Sequence, residues 1–160
     1  MRIRDVMSRD VQVVTPDTTL RQAAAIMKES DTGIVPVGEH DKLVGMITDR
    51  DIAVRGLAEG KGPDTRVREV MTAEVKYCFE DADTAQVAES MAQQQVRRLP
   101  VVNRDKRLVG IVSLGDLAIE DRGEAAHEAL RGVSQPGGRH NQSEAGATAY
   151  AGSKPTGREQ

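Results

Sequence analysis

The sequence predicts a mixed α/β (α+β) fold in which two pseudo-symmetric β-α-β-β-α units pack sheet to sheet. The first observation is an internal repeat. Residues 45–51 recur as residues 110–116, with the same order of a glycine, two apolar residues, a hydroxyl, two free positions and an aspartate. The second is that each copy follows the same succession of short apolar runs and one amphipathic run, which indicates strands and a helix. Because the unit occurs only twice, the repeat favours a symmetric pair over a solenoid.

The elements of the first unit follow from local patterns. Residues 11–14, 34–37 and 43–47 are short apolar runs bounded by turn residues, which is typical of strands. A helix is predicted between the first two strands, and either Thr18 or Thr19 is suited to cap it. The side chains expected to form the buried face of this helix are Leu20, Ala23, Ala24 and Met27.

The last helix of each unit is predicted to begin at the repeated hydroxyl. This residue is Thr48 in the first unit and Ser113 in the second. In the first unit the apolar residues available for burial on this helix are Ile52, Ala53 and Leu57. The other elements predicted for the second unit are strands at 75–79, 98–102 and 108–112 and a helix at 84–94.

The repeat also predicts the domain boundaries. We expect the first unit at residues 1–62 and the second at residues 63–125. Because a unit of this size buries too little surface to be stable alone, the two units are expected to pack together as one domain. Residues 126–160 are expected to hold the end of the last helix and a tail. From about Arg131 the chain is rich in Gly, Ser, Gln, Pro and Ala, a composition that favours disorder.

Composition argues against several classes of function. The net charge is -3 and the chain has no Trp, one Phe and two Tyr, so neither a basic footprint nor a base-stacking platform for nucleic acid is expected. Cys78 is the only cysteine, which excludes an internal disulfide and a Cys-rich metal site. No apolar run approaches the ~18 residues of a membrane span, and no secretory signal is visible. We therefore expect a cytoplasmic protein with no membrane or nucleic-acid partner.

The repeated hydroxyl and aspartate have two interpretations. A Ser or Thr followed three residues later by an acidic residue resembles a capping box, which only stabilises a helix start. The same pair suits a nucleotide, because the start of a helix attracts phosphate and a carboxylate accepts hydrogen bonds from a ribose diol. Spacing alone does not separate the two. The occurrence of the motif in both copies, each time after a Leu-Val-Gly strand, favours the ligand.

These features resemble the CBS domain family, in which two units form a pair called a Bateman module. The resemblance rests on the Asp-Val-Met and Glu-Val-Met openings at 5–7 and 69–71, the Pro-Val pairs at 36–37 and 100–101, and the two repeated motifs. It covers roughly residues 1–125, and the stretch 48–52 is similar to the small stand-alone bacterial members. The resemblance implies binding of an adenosine-containing small molecule, AMP, ADP, ATP or NAD, and a homodimer of modules.

The resemblance also implies a role for individual residues. Thr48 and Ser113 would contact phosphate or ribose, and Asp51 and Asp116 would hold the ribose hydroxyls. Backbone groups of two strands would line the adenine pockets, and Thr15 would close on the base. The residues that would contribute these backbone groups are Ile34, Val35 and Pro36 in the first unit and Arg98, Leu99 and Pro100 in the second.

The two predicted sites differ in charge. The first motif contains Arg50, a candidate phosphate partner, where the second has Gly115. The second unit carries Arg97 and Arg98 at the start of a strand, and we expect at least one of them to contact ligand. Glu80 stands where the first unit has Pro16, and it would disfavour a polyphosphate. We therefore expect unequal affinities at the two sites.

The function predicted from the sequence is a nucleotide-binding regulatory or sensor module that acts through ligand-dependent conformation or through a protein target in trans. No catalytic or metal-binding constellation is recognisable, so we expect neither an enzyme nor a required cofactor. The alternative is a structural dimerisation or protein-interaction module whose motifs are helix caps. Met7 and Met71 are expected to be packing residues.

Overall fold

The computed structural model describes residues 1–120 and 124–135. Its strands are β1 (Ile34–Glu39), β2 (Lys42–Thr48), β3 (Cys78–Phe79), β4 (Arg98–Val102) and β5 (Leu108–Ser113). Its α-helices are α1 (Ile3–Val6), α2 (Leu20–Glu29), α3 (Thr84–Gln94), α4 (Leu114–Glu120) and α5 (Glu124–Val133). A π-helical segment spans Asp51–Gly56, and short 3-10 turns span Leu57–Glu59 and Val67–Glu69. The mixed fold class predicted from the sequence is confirmed.

Helix α2 begins at a reciprocal cap. Thr19, one of the two predicted candidates, accepts a hydrogen bond from the Gln22 N–H at 3.2 Å, and the Gln22 side chain accepts the Thr19 N–H at 3.0 Å. Leu20, Ala23 and Met27 are buried as predicted. The prediction was wrong for Ala24, which is exposed because the buried stripe of α2 is narrower than the one expected.

The two sheets have matching topologies. In the first, β1 and β2 pair antiparallel, and Val14 forms a parallel bridge to Val37 of β1. In the second, β4 and β5 pair antiparallel, and β3 pairs parallel to β4. The strands predicted at 11–14 and 75–79 are therefore much shorter than expected. Each of these segments crosses from one sheet to the other, so only its end runs beside a strand.

The opening of each repeat packs on the core of the other repeat. Ile3 is fully buried in the core formed by β4, β5 and α3, which belongs to the second repeat. Val67 and Val70 are fully buried in the core of β1, β2 and α2, which belongs to the first. Backbone pairs between Ser8 and Ile111, and between Thr72 and Met46, complete the exchange. The two halves are therefore connected by packing as well as by the chain.

The repeated glycines accommodate this exchange. A Cβ atom on Gly110 would lie 2.7 Å from both the Met7 sulfur and the Ser8 carbonyl oxygen. A Cβ atom on Gly45 would lie 2.8 Å from the Met71 sulfur and 3.0 Å from the Thr72 carbonyl oxygen. Both distances are too short for a real side chain, so the motif glycine is required by the close approach of the exchanged segment. Met7 is buried and Met71 half-buried, consistent with the packing roles expected for them.

The C-terminal part of the described chain departs from the prediction. The regular structure was expected to give way to a tail near Arg131, but helix α5 continues to Val133. Its residues Ala129 and Val133 are buried against the second core. These two residues are four apart, which places them on one face of the helix. The tail predicted beyond this point, from residue 136 onward, lies outside the described residues.

The helix after the first motif also differs from the prediction. Ile52 is half-buried, but Ala53 is exposed and Leu57 is 74% exposed. The segment is π-helical, which changes the faces that successive residues occupy, and the buried position is taken by Gly56 instead. A Cβ atom on Gly56 would lie 3.0 Å from the end of the Leu20 side chain, so a larger residue here would require Leu20 to shift.

Candidate functional site

The first motif lies at the end of β2. The Thr48 hydroxyl accepts the Asp51 N–H at 3.0 Å, and Asp51 Oδ2 accepts the Thr48 N–H at 3.1 Å. This reciprocal pair is the capping geometry weighed in the sequence analysis. The Asp51 side chain is only 13% exposed. The geometry leaves Asp51 Oδ1 outside the cap, so a second hydrogen-bonding role is available to this carboxylate.

The second motif repeats this geometry with one additional contact. Asp116 Oδ2 accepts the Ser113 N–H at 2.7 Å, and the Ser113 hydroxyl accepts the Asp116 N–H at 3.1 Å. The Ser113 hydroxyl also donates to Asp116 Oδ2 at 2.8 Å. The second carboxylate is thus held by two short hydrogen bonds, whereas the first is held by one longer bond within its motif.

The strand beside each motif carries the residues predicted to line the adenine pocket. Ile34 is directly opposite Thr48, and Arg98 is directly opposite Ser113. The Asp49 N–H donates to the Gly33 carbonyl at 2.9 Å in the first unit, and the Leu114 N–H donates to the Arg97 carbonyl at 3.0 Å in the second. The structure therefore brings the start of the strand and the start of the helix together in both units.

The remaining predicted residues are distributed as follows. Arg50, Arg97 and Arg98 are exposed, while Val35, Pro36, Leu99 and Pro100 are buried, so the latter can offer only backbone groups to a ligand. Thr15 follows Val14, which pairs with Val37, and Val37 lies three residues along β1 from Ile34. Thr15 is therefore offset from Thr48 by roughly 13 Å along the strand direction, at ~3.3 Å per strand residue, and lies on the opposite side of β1 from β2.

Two hydroxyl residues that the sequence reasoning missed lie beside the motif strands. Thr72 exchanges two backbone hydrogen bonds of 2.9 Å with Met46 of β2, and Ser8 exchanges two of 2.9 Å with Ile111 of β5. The signal was present in the sequence, because Ser8 and Thr72 occupy equivalent positions after the two openings. What the sequence does not contain is the exchange that brings each one to the motif of the other repeat.

Arg55 is a third residue that the sequence reasoning missed. Its Nη1 atom lies 3.6 Å from Asp51 Oδ1 and 3.5 Å from the Thr72 hydroxyl, and its side chain is 48% exposed. It therefore connects the first motif to the opening of the second repeat. The spacing of four residues from Asp51 was a usable signal, since such a pair meets on one helical face.

A cavity of about 450 Å³ lies away from the hydroxyl and the aspartate of both motifs. It is formed between the β1–β2 hairpin end and the start of β5, and Thr48, Asp51, Ser113 and Asp116 are not among its lining residues. Its floor is apolar and its rim carries charges of both signs. The lining residues are Arg9, Val11, Val13, Gly38, Glu39, His40, Asp41, Lys42, Leu43, Arg107, Leu108, Val109 and Gly110.

Four titratable groups among the described residues have shifted pKa values, and none of the four belongs to either motif. The guanidinium of Arg68 bonds Asp17 and lowers the pKa of that carboxyl, and Arg104 lowers the pKa of Asp81 in the same way. Burial raises the pKa of the Cys78 thiol to about 12, so it behaves as the small buried apolar residue that its alignment with Val14 implies. Within the described ranges, no cluster of three or more His, Cys, Asp or Glu is placed to hold a metal ion.

The paired architecture and the twice-repeated motif agree with the comparisons. The family model of the CBS domain matches residues 3–56 and 67–122. The chain belongs to the CBS domain family. It is 42% identical over 133 residues to the CBS domain-containing protein YhcV of Bacillus subtilis, covering 82% of this chain and 94% of that protein. It is 41% identical over 117 residues to Hypoxic response protein 1 of Mycobacterium tuberculosis, covering 72% and 81% respectively. Neither name is that of an enzyme.

Two solved CBS structures resemble the chain and contain bound groups. The CBS domain pair of protein MJ0100, in complex with 5′-methylthioadenosine and S-adenosyl-L-methionine, is 31% identical with a TM-score of 0.68, covering 77% of this chain and 97% of that one. Hypoxic Response Protein I with two coordinated zinc ions is 39% identical with a TM-score of 0.68, covering 75% and 98%. No helix among the described residues of our chain is long and apolar enough to cross a bilayer.

Proposed function

We propose that this CBS domain pair is a regulatory module that binds an adenosine-containing ligand, AMP, ADP, ATP or NAD, at its two motifs. The observation that carries the proposal is the repeated grouping of a hydroxyl, a carboxylate and the opening of the other repeat. In the first unit these are Thr48, Asp51 and Thr72, and the second unit has Ser113 and Asp116 beside Ser8. The adenosine derivatives bound by the MJ0100 pair support the same ligand class.

The grouping suggests how ligand binding would change the module. Each motif lies where one repeat meets the exchanged segment of the other, so a ligand there contacts both halves of the chain. Binding would then favour one relative arrangement of the halves, because a ligand shifts an equilibrium toward the form that it binds better. A protein target that recognises this form would read the ligand, and the module itself would need no catalytic chemistry and no required cofactor.

The alternative function is a structural dimerisation or protein-interaction module. It is favoured by the reciprocal caps, since both hydroxyls and both aspartates already satisfy backbone N–H groups in the absence of ligand. In that case the motifs stabilise helices and have no further role. The two functions differ in whether replacing the aspartates changes only stability or also changes binding.

Thermal denaturation with candidate ligands tests the proposal directly. The protein is heated with AMP, ADP, ATP, NAD, S-adenosyl-L-methionine or 5′-methylthioadenosine, each over a concentration series. A ligand present at 100 times its Kd adds about 2.7 kcal/mol to the free energy of unfolding. We expect a concentration-dependent rise in Tm with at least one of them. If the Tm stays constant with all six compounds, the result contradicts the proposed ligand binding and favours the alternative function of a protein-interaction module.

The role of the carboxylates is tested with a modified ligand. Losing one hydrogen bond to a carboxylate costs about 1.5–3 kcal/mol, so 2′-deoxy-AMP should bind at least tenfold more weakly than AMP. Asp51→Ala and Asp116→Ala should each remove this difference at its own site. Asp64→Ala, an exposed aspartate outside the motifs, is the matched control and should preserve it. Equal affinities for the two nucleotides in the wild-type protein would remove both aspartates from the ribose-binding role.

We also propose that the module forms a homodimer through its last helices. Val54 and Ile119 occupy equivalent positions of the two repeats and are 45% and 77% exposed, and Leu130 on α5 is 53% exposed. Apolar side chains repeated at symmetric surface positions suit a two-fold interface. Light scattering of Ile119→Asp tests this, and we expect a monomer where the wild type is a dimer.

The predicted cytoplasmic location, the two-unit boundaries and the protein target in trans remain predictions.

A further inference from the structure

A cation follows the first motif, and the equivalent position after the second motif has none. Arg55 follows Asp51 by four residues, and the position four residues after Asp116 is Glu120. The segment that carries Arg55 is π-helical, whereas the corresponding segment after Ser113 is the regular helix α4. π-Helical turns are rare in proteins, and those that occur are often found at functional sites. The two motifs therefore differ in charge and in local backbone although their caps match.

Arg55 is placed where it competes with a ligand for the carboxylate. Asp51 Oδ2 is used by the cap, and Asp51 Oδ1 lies 3.6 Å from Arg55 Nη1. A ribose diol that binds Asp51 needs Oδ1, so it displaces the guanidinium from its anion. The Thr72 hydroxyl, 3.5 Å from the same Nη1 atom, keeps the guanidinium beside the motif. A ligand that carries a phosphate group gives the Arg55 guanidinium a new anion to pair with. An uncharged nucleoside leaves the guanidinium without one.

From this arrangement we infer that Arg55 is the residue that makes the first site select phosphorylated adenosine ligands over the uncharged nucleoside. The inference rests on the proposed binding of adenosine ligands at the motifs and names their chemical class at one of them. In the free protein Arg55 pairs with Asp51, and in the complex it pairs with phosphate. A guanidinium is suited to this exchange because it always carries its charge and matches carboxylate and phosphate geometry equally well. Selectivity at the second site has no such contribution.

The experiment measures phosphate selectivity, the ratio of the Kd for adenosine to the Kd for AMP. Isothermal titration is carried out on the full chain in an Asp116→Ala background, which restricts binding to the first site. The variants are Arg55→Gln, Arg55→Lys and Arg21→Gln, the last an exposed arginine of α2 outside both motifs. We expect Arg55→Gln to lower the ratio about tenfold, equivalent to one charge-assisted hydrogen bond. The Kd for adenosine itself should stay constant or fall, because Asp51 no longer has to release a cation.

The remaining arms separate the possible outcomes. Arg55→Lys should keep part of the selectivity, since the charge remains but the planar fork is lost, and Arg21→Gln should keep all of it. The wild-type ratio should fall with added salt, because Arg55 is half-exposed. A ratio that Arg55→Gln leaves within twofold of the parent overturns the inference while the proposed function stands. If neither adenosine nor AMP binds the unmodified chain, the proposed function fails and the inference fails with it.

Discussion

The two repeats place Ala24 and Ala88 at the same position of α2 and α3, yet Ala24 is exposed and Ala88 is buried. Helix α5 packs on α3, and nothing equivalent covers α2 within the described chain. The last helices differ in the same direction. Leu114 and Leu117 of α4 are buried, while their counterparts Asp49 and Ile52 are exposed and half-buried. Sequence duplication has thus produced one closely packed half and one more open half.

The difference separates stability from ligand access. The second half buries its motif helix and its long helix under α5, so its motif is held by a larger core. In the first half, Arg50 and Arg55 are exposed beside a π-helical turn, so a ligand can reach these two side chains from the surface. We therefore expect substitutions in the second half to affect folding more, and substitutions around the first motif to affect binding more.

The largest expected effect tests the exchange of openings between halves. Ile3 and Val67 are equivalent residues, and each is fully buried in the core of the other repeat. Ile3→Ala should lower the free energy of unfolding by about 2–5 kcal/mol, and Val67→Ala by less because fewer carbons are removed. Urea denaturation measures both. Val13→Ala, at a 47% exposed apolar residue outside the proposed dimer surface, is the control and should change it by about 0.5 kcal/mol or less.

The outcome for Ile3 is decisive for the comparison. If Ile3→Ala behaved like Val13→Ala, the opening of the first repeat would not be part of the second core. If Ile3→Ala and Val67→Ala each shifted a single common transition, the two halves would unfold as one unit, as exchanged packing requires.

The next effect tests whether α5 accounts for the tighter half. A Cβ atom on Gly132 would lie 2.6 Å from the Ala92 Cβ and 3.0 Å from its Cα, so Gly132→Ala pushes α5 away from α3. We expect a loss of about 1–3 kcal/mol, typical of overpacking. Gly62→Ala is the matched control, because no atom lies within 4 Å of its added Cβ. If the Gly132→Ala protein is as stable as the Gly62→Ala protein, the packing of α5 does not account for the stability of the second half.

Much of the fold was predictable because its signals are local. Helix α3 and strand β4 begin and end at the predicted residues, since each is an amphipathic or apolar run between turn residues. The exchange of the openings was not predictable. Nothing around Ile3 distinguishes packing on the first core from packing on the second, because the two cores are built from matching residues. The π-helical turn was missed for a related reason, because it contains a buried glycine, Gly56, that lies close to Leu20 and Val70, and local patterns do not show a contact between segments so distant in the sequence.

The site was predictable in its repeated part only. Thr48, Asp51, Ser113 and Asp116 stand out because the same spacing occurs twice after the same strand. Thr72 and Arg55 depend on tertiary placement, and neither belongs to the repeated motif. The position of Thr15 was assigned by resemblance alone, and the pairing of Val14 with Val37 places it at the far end of β1 from Thr48.

A smaller effect compares the two caps in the absence of ligand. Asp116→Ala removes two short hydrogen bonds, whereas Asp51→Ala removes one longer bond and the 3.6 Å ion pair with Arg55. Because that ion pair is half-exposed and therefore weak, Asp51→Ala should cost less than Asp116→Ala. Loss of a helix cap costs about 0.5–2 kcal/mol, and we expect Asp116→Ala at the upper end of this range. Thermal denaturation without nucleotide measures the difference. Asp51→Ala costing more than Asp116→Ala would reverse the assignment of the more tightly held motif.

The smallest effect concerns two equivalent aspartates with different partners. Asp17 pairs with Arg68 from the opening of the second repeat, whereas Asp81 pairs with Arg104 from the hairpin of its own repeat. Both ion pairs lower the pKa of the carboxyl in the folded protein. Such a group adds stability above its unfolded pKa, about 3.9, and this stability is lost as the pH falls through the lower folded value.

Acid should therefore weaken both pairs, but only the Asp17 pair fastens an exchanged opening. We expect urea midpoints to fall as the pH is lowered from about 5 to about 2 in the wild-type protein, and to fall less in Arg68→Gln, which has already lost its share of this stability. Arg104→Gln should reduce the acid sensitivity in the same sense, while leaving the opening of the second repeat as protected from hydrogen exchange as in the wild type. Arg68→Gln should increase exchange at the backbone amides of Val67 and Val70. Equal protection of these two amides in Arg68→Gln and Arg104→Gln would mean that hydrophobic burial alone holds the exchanged segment in place.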